Sequence, residues 1–311
     1  MLYLFSGRKR RNSLAWFIRR LAKKFHYIVE VVEVDLRHSR KADCTQPEVQ
    51  KKWLQFIDSG AVDALVITPP CSTFSRATWA NEEGPFPLRS SECLRGFTWN
   101  SPQRRRKTTL GNVLADFSFE AMKRQLRIEG KLAFMEQPED LGRTNGQRIP
   151  GHRPGSMWQF PQHEEILQLP GVRSVALAQL DFGAESVKPT RLLMRTSGQL
   201  HPEMYEGLPQ LDGDGWYLGP LPKKAGKPLI GKQGGAFRTA GAAAWPAGLC
   251  SWVAEQILAA FQMNSESRGG QVGEEKKRGA AAEVEGAPLR RGPGGAQWRR
   301  NPWRQTRLTR R

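Results

Sequence analysis

The stretch VDALVITPPC, residues 62–71, decides how the chain folds. Its first half is a run of apolar residues typical of a strand buried in a parallel sheet. Pro69 and Pro70 end that strand and place Cys71 on a stiffened turn. Ligands of open parallel sheets gather beyond the carboxyl ends of the strands. The pattern therefore predicts that Cys71 lies at a binding site and not in the core.

Apolar strands and amphipathic helices alternate on both sides of this stretch. The pattern predicts strands within residues 1–5, 27–36, 62–68, 131–138, 173–183 and 190–196. It predicts helices over residues 12–25, 45–60, 108–128 and 162–168. Such alternation is typical of the α/β class, and we predict a Rossmann-like, doubly wound, mostly parallel sheet.

Composition divides the chain into four predicted parts. They are a core over residues 1–198, a short irregular recognition segment over 199–238, a helix returning to the core over 239–264, and a basic tail over 265–311. We predict that the tail is disordered, because it contains too few apolar residues to offset the entropy of ordering. Its Arg-Trp clusters either hold a nucleic-acid backbone or are simply solvated. Within the core, residues 78–106 are polar and are predicted to form a long surface loop.

The charge of the chain favours polyanionic partners. The formal net charge is +18, and the tail carries 12 Lys and Arg against 5 Asp and Glu, which leaves +11 on the remainder. Neutralising phosphates releases their condensed counterions, so we predict binding to nucleic acid, with a merely soluble basic protein as the alternative.

The cysteines and the apolar runs indicate a reducing, non-membrane location. The four cysteines show no C-x-x-C pair, which argues against a structural metal or a disulfide framework. No signal peptide is evident, and no apolar run approaches the roughly 20 residues of a membrane helix. We predict an intracellular monomer, nuclear if the source is eukaryotic.

Five short motifs occur in an order that resembles cytosine-C5 DNA methyltransferases, and more closely the divergent cytosine-methylase-like domains of phage and retroelement-rich genomes. They are LFSG, TPPCSTFS, MEQP, FGAESVKPTRLL and TAGAAAWPAGLCSWVAEQI, between residue 4 and residue 257. The resemblance implies the fold of class I methyltransferases, with S-adenosylmethionine as cofactor. The partner that it implies is DNA, and RNA remains open because the motifs concern the base and not the sugar.

The resemblance also implies a set of cofactor contacts. Asp35, which ends the second strand, is suited to accept the ribose hydroxyls, and Asp43 to accept an adenine amino group. By resemblance, Pro70 packs on the adenine. The methionine and adenosine side is lined by Phe5, Ser6 and Gly7.

Cys71 is the nucleophile that the resemblance implies. Cytosine C5 accepts a methyl group only after a thiolate adds to C6, and we expect backbone amides of the turn to lower the pKa of the Cys71 thiol. Glu136 is predicted to be the general acid at N3, the alternative being a solvated carboxylate at a strand end. Arg191, with Lys188, either orients the base and adjacent phosphate or pairs with acids.

The residues that follow the nucleophile are assigned to the substrate side by the same resemblance. They are Ser72, Phe74 and Ser75. The target carbon is inaccessible inside a stacked duplex, so the cytosine must be flipped out or single-stranded.

Several positions depart from the family pattern and keep other functions open. Tyr3 stands where an acid is usual, Gln137 where Asn is usual, and the basic run 8–11 where glycines are usual. A non-catalytic nucleic-acid-binding protein derived from a mobile element is therefore an alternative, as is an RNA cytosine-C5 methyltransferase. An amino-group methyltransferase is disfavoured, because the turn lacks the Asp or Asn and the aromatic residue that hold an amino group.

Overall fold

The computed structural model describes residues 1–80, 84–145, 148–196, 198–227, 229 and 231–262. Its centre is a seven-stranded sheet with the strand order β2-β1-β3-β4-β6-β5-β7. The strands are β1 Leu2–Leu4, β2 Val32–Val34, β3 Ala64–Ile67, β4 Leu132–Pro138, β5 Val172–Ala178, β6 Pro189–Arg195 and β7 Met204–Glu206. The helices are α1 Leu14–Lys24, α2 Pro47–Asp58, α3 Ala77–Ala80, α4 Pro102–Arg127, α5 Pro161–Leu167 and α6 over residues 247–262.

The sheet is mixed, with its parallel part on the N-terminal side. β2, β1, β3 and β4 pair in parallel, and β6 then runs antiparallel between β4 and β5. Five of the seven strands thus share one direction, and β6 and β7 oppose it. The predicted α/β class is confirmed, and the sheet is compatible with a Rossmann-like arrangement.

The order of the strands reverses at β1, and this reversal positions the site. The chain passes from β1 to β2 on one side and then crosses back beyond β1 to β3. Since parallel crossovers are right-handed, the reversal places α1 on one face of the sheet and α2 and α4 on the other. The crevice between the carboxyl ends of β1 and β3 is the switch point where such sheets bind ligands.

Both faces of the sheet are covered by apolar helix surfaces. Alternate residues of β1 face opposite layers, with Leu4 among the residues that pack on α2 and α4 and Tyr3 among those that pack on α1 and α6. Leu14 and Ile18 of α1 are fully buried, and each such burial stabilises the fold by about 1.5–3 kcal/mol. Ser13 caps the start of α1, because its Oγ accepts a hydrogen bond from Trp16 N.

The prediction that residues 78–106 form a long surface loop is wrong. α3 and the first turn of α4 occupy its ends, and the segment between them, apart from residues 81–83 outside the described part, packs against the body. Arg89 and Phe97 are each only 1% exposed. Polar composition is misleading here, because the Arg89 guanidinium donates hydrogen bonds to Leu94 O, Asn112 Oδ1 and Thr73 Oγ1 and so tolerates burial.

The predicted recognition segment 199–238 begins inside the main sheet. β7 pairs with β5 as an edge strand, and two small hairpins follow. These hairpins are β8 Gln210–Leu211 with β9 Tyr217–Gly219, and β10 Lys232–Gln233 with β11 Ala236–Phe237. The returning helix predicted within residues 239–264 is present as α6, and the predicted disorder of the tail concerns residues outside the described part.

Among the described residues, none of the helices combines the length and the apolarity that crossing a membrane requires. α4 is the longest helix of this part, with 26 residues, and it carries charged residues in its first and last turns.

Candidate active site

Cys71 lies on a turn that is fixed from two sides. Phe74 N donates a hydrogen bond to Cys71 O at 2.9 Å, which closes the turn. Gln137 Nε2, on β4, donates a hydrogen bond to Pro69 O at 2.6 Å and is fully buried. Cys71 itself is half-buried, whereas Pro70 and Ser72 are exposed. The thiol-bearing residue is therefore held in place while its surroundings reach the surface.

The Cys71 turn and the loop after β1 are joined at the same edge of the sheet. Thr68 Oγ1 donates a hydrogen bond to Phe5 O at 2.8 Å, and Thr68 N donates one to Leu4 O at 3.2 Å. The predicted cofactor loop and the predicted nucleophile thus meet at the switch point of the sheet.

Glu136 and Lys188 form a second pair beside this turn. Glu136 Oε1 lies 3.5 Å from Lys188 Nζ, and only 9% and 11% of the two side chains are exposed. Glu136 Oε1 is buried and accepts no hydrogen bond. Lys188 has a φ of 31°, an unfavourable backbone angle for a residue with a side chain. This carboxylate is close to a cation but is incompletely satisfied.

The prediction that the turn lowers the pKa of the Cys71 thiol is wrong for the free protein. Burial raises that pKa most, and the negative charge of Glu136 raises it further. Lys188 and a backbone hydrogen bond oppose these effects, but the net direction is upward. The thiol therefore keeps its proton at neutral pH, and the same interactions show that Cys71, Glu136 and Lys188 are electrostatically coupled.

Arg191 is engaged inside the protein. Its guanidinium forms two hydrogen bonds of 2.7 Å with the Glu139 carboxylate, and both side chains are 0% exposed. Further donors reach Ser174 Oγ and Gly207 O. The structure thus places Arg191 in a buried ion pair and not at an open cleft, which favours the pairing alternative over contact with the base.

The three residues predicted on the substrate side have different surroundings. Ser72 is exposed, and Ser75 Oγ accepts a hydrogen bond from Ala77 N at the start of α3. Phe74 is only 6% exposed and packs against the ring of Phe160 with a centroid distance of 5.8 Å. Phe74 therefore belongs to the core below the turn, and Ser72 is the one that faces outward.

The loop after β1 has the backbone shape of a ligand-binding loop. Phe5 and Gly7 adopt positive φ values of 61° and 72°. Gly7 N donates a hydrogen bond to Asp35 Oδ2 at 2.8 Å, and the space where a Gly7 side chain would stand is open. Ser6 Oγ is buried and has no hydrogen-bond partner. An unsatisfied hydroxyl beside open space is suited to a polar ligand.

The two acids predicted to bind the cofactor differ in how many hydrogen-bond acceptor sites they have left. Asp35 accepts one backbone hydrogen bond at each oxygen, from Gly7 N and Arg37 N, which leaves acceptor sites on both. Asp43 Oδ1 accepts two hydrogen bonds from Thr45, and this lowers the pKa of the Asp43 carboxyl. Asp43 therefore shapes the chain before α2, and Asp35 is the better ribose acceptor.

One arginine of the basic run after the first strand links this loop to the segment before α6. Arg10 Nη2 donates a hydrogen bond to Trp245 O, just before α6. The ring of Trp245 lies 6.5 Å from that of Tyr3, measured between centroids. The segment before α6 and the first strand are thus in contact.

Sequence reasoning missed three supporting residues. Glu139 follows the strand end at Pro138, and an acid in that position is a usable signal. Gln137 was noted only as a departure from the family, yet it fixes Pro69. Arg89 gave no signal, because its burial under the turn depends on partners distant in sequence. Its guanidinium carbon lies 3.8 Å from the centre of the Phe74 ring.

Within the described residues, no three His, Cys, Asp or Glu side chains are grouped as a metal site would require. Comparisons with protein-family models, curated proteins and solved structures find no match to the chain. The chemistry of the site itself therefore has to carry the functional argument.

Proposed function

We propose that the protein transfers a methyl group from S-adenosylmethionine to C5 of cytosine in DNA through a covalent adduct with Cys71. One observation supports this most strongly. Cys71 lies on a fixed turn at the switch point of the sheet, coupled to a buried carboxylate and a cation, Glu136 and Lys188. A thiol, a proton carrier and a positive charge are the three groups that addition to a pyrimidine ring requires.

The first chemical step, addition of the thiol to cytosine, needs no group beyond Cys71 and Glu136. The Glu136 carboxylate takes the proton of the Cys71 thiol, the sulfur adds to C6, and the proton passes to N3. An S–C6 bond forms, the C5–C6 double bond moves its electron pair toward C5, and Glu136 is again a carboxylate. The high pKa of the free thiol is compatible with this order, because ionisation is needed only once the base is present.

Lys188 has a distinct part in this step. Its ammonium lowers the pKa of the Cys71 thiol, whereas the ionised Glu136 raises it. Once Glu136 holds a proton, only the favourable effect of Lys188 remains between these two groups. Lys188 then stabilises the thiolate during attack, a role different from the orientation of the base that the resemblance implies for the arginine motif.

The loop after β1 fits the methyl donor. S-adenosylmethionine, when bound, supplies an electrophilic methyl group. Ser6 Oγ is available as a hydrogen-bond partner, Gly7 leaves open space, and Asp35 keeps acceptor sites for ribose hydroxyls. Pro70 is exposed beside them and is suited to pack on a flat ring. Asp43 supports this site indirectly, because its hydrogen bonds with Thr45 fix the chain before α2.

The carboxyl edge of the sheet also has cations suited to a phosphate backbone. α4 begins at this edge, because it runs back to the start of the parallel strand β4. Its first turns expose four consecutive cations, residues 104–107. Arg104 and Arg148 lie 5.0 Å and 5.3 Å from the centre of the Phe86 ring. The Arg148 guanidinium already donates hydrogen bonds to three backbone carbonyl groups. The exposed cations of α4 are therefore the ones suited to hold the strand on either side of an extruded cytosine.

Two observations favour a second candidate, a nucleic-acid-binding protein without efficient turnover. The Cys71 thiol is not activated in the free protein, and Arg191 is already engaged by Glu139. The basic surface serves this function equally well. An RNA cytosine-C5 methyltransferase would use the same residues. Whether the substrate is DNA or RNA depends on which sugar the site accepts.

The test is covalent trapping. The purified chain is incubated with S-adenosylmethionine and an oligonucleotide containing 5-fluorocytosine, whose fluorine blocks the last step and leaves the adduct in place. We expect a denaturation-resistant complex with the parent chain and with Cys93→Ser, which alters another half-buried cysteine. We expect none with Cys71→Ser.

The same assay separates the candidates. Parallel DNA and RNA oligonucleotides of varied sequence identify the sugar that the site accepts. Adduct in Cys71→Ser, or none with any oligonucleotide although the chain binds them, would overturn the proposed reaction and favour the binding protein.

A further inference from the structure

The first 29 residues carry a net charge of +8, because they contain basic residues and no acids. They contain eight Lys and Arg and no Asp or Glu, against a net +11 for the chain before the tail. This charge is not spread evenly over the surface. A cavity of about 530 Å³ lies along α1 beside Glu33 of β2, the edge strand of the sheet.

The lining of this cavity, called here the α1 groove, is strongly basic. Five of its eight residues are cations and one is an acid. The cations are Lys9, Arg10, Arg19, Arg20 and Lys23. Two of them are fixed by the protein, since Arg19 pairs with Glu33 at 2.9 Å and Arg10 is bound to Trp245 O. Lys9, Arg20 and Lys23 are exposed.

An aromatic residue orders one of the exposed cations. Trp16 is half-buried in the groove, and the guanidinium carbon of Arg20 lies 5.1 Å from the centre of its ring. Trp16, Arg20 and Lys23 follow the spacing that aligns side chains along one helix face. From residue 16 to residue 23 this stripe extends about 10 Å, the length over which one strand of a duplex presents about three phosphates.

We propose that the α1 groove is a second nucleic-acid site, which binds the phosphate backbone without reading sequence. It goes beyond methyl transfer, because none of its residues belongs to the nucleophile turn. The groove starts in the loop after β1 and runs along α1 away from the carboxyl edge. A concave row of cations fits a strand of phosphates, whereas a flat lipid surface would meet only the convex parts of the helix.

The test compares two double variants in the full chain carrying Cys71→Ser, so that covalent chemistry makes no contribution. Arg20→Ala with Lys23→Ala removes two charges from the groove. Lys51→Ala with Arg127→Ala removes two exposed charges from α2 and from the end of α4. Alanine is a good helix former, so both variants are expected to fold, which equal melting temperatures would verify.

The measurement is the salt dependence of binding to a DNA duplex and to a single strand. Each phosphate contact contributes about 0.9 to the logarithmic salt slope for a duplex and about 0.7 for a single strand. The groove variant is therefore expected to lose about 1.4–1.8 from the slope, and the control much less. Lys9→Ala, on the loop before α1, gives a smaller independent loss.

Two results would overturn the proposal. One is equal slopes in the groove and control variants. The other is an unchanged DNA slope in the groove variant together with lost binding to anionic phospholipid vesicles, which would assign the groove to a membrane surface. Neither result depends on whether Cys71 forms an adduct, so the methyl-transfer proposal stands or falls separately.

Discussion

Two acid–cation pairs lie beside each other between β4 and β6, and they differ in how completely they are satisfied. Glu139 and Arg191 are both 0% exposed and share two hydrogen bonds of 2.7 Å. Glu136 and Lys188 are separated by 3.5 Å, and Glu136 Oε1 accepts no hydrogen bond. The two acids are three positions apart at the end of β4, and the two cations are three positions apart at the start of β6.

The difference indicates that one pair stabilises the structure and that the other is suited to proton transfer. A buried ion pair with every partner in place contributes rigidity and has no reason to exchange protons. A buried carboxylate with an unused oxygen beside a thiol can accept a proton and return it. The first pair accounts for the position of the strands, and the second for the reaction that we propose.

The largest expected effect comes from removing the proton carrier. Glu136→Gln keeps the shape of the side chain but cannot take the thiol proton. We expect the single-turnover rate of adduct formation with the 5-fluorocytosine oligonucleotide to fall by about 10²–10⁴-fold. Urea unfolding serves as the control, because the Lys188 side chain is only 11% exposed and loses its charged neighbour, so the variant must be shown to remain folded. A rate within a factor of two of the parent would show that Glu136 carries no proton.

The next effect concerns the structural pair. Arg191→Ala leaves the Glu139 carboxylate buried without its partner, which is expected to cost about 3–5 kcal/mol of unfolding free energy. Urea unfolding followed by tryptophan fluorescence measures the change. Because the single variant can fail to fold, the matched variant is Arg191→Met with Glu139→Leu, which is expected to recover most of the loss. If both variants are equally unstable, the pair does not act as an ion pair.

The smallest effect is a pair of opposite shifts in thiol titration. Ionised Glu136 raises the pKa of the Cys71 thiol and Lys188 lowers it. Glu136→Gln should therefore move the pH profile of Cys71 alkylation to lower pH, and Lys188→Met should move it to higher pH. The rate is measured on the Cys71 peptide by mass spectrometry, with Cys93 as the internal control. Shifts of the same sign in both variants would contradict the coupling.

The sequence was sufficient for the α/β class and for the position of Cys71 at the end of β3. Continuous apolar runs and helical periodicity predicted the parallel strands and their helices, because burial on both faces leaves a clear apolar signature. The strand before Pro69 was read correctly for this reason. The antiparallel insertion of β6 between β4 and β5 was not predictable, since strand order depends on pairings between distant segments.

The electrostatics of the site were not predictable from the sequence. The pKa of Cys71 depends on burial and on Glu136, which lies 65 positions away, and a turn containing two prolines gave the opposite expectation. Arg191 and Lys188 looked equivalent in the motif, yet one is enclosed by Glu139 and the other is beside Glu136. Residues 78–106 were predicted to be a surface loop because they are polar, yet Arg89 within them is buried.

The raised pKa of Cys71 has a consequence for the resting protein. Peroxide and disulfides react with the thiolate form, so a thiol that keeps its proton is a poor target for them. In the reaction that we propose, conversion to a sulfenic acid would inactivate Cys71 before any substrate arrived. The burial that delays ionisation of the thiol would therefore also protect it from oxidation between substrates.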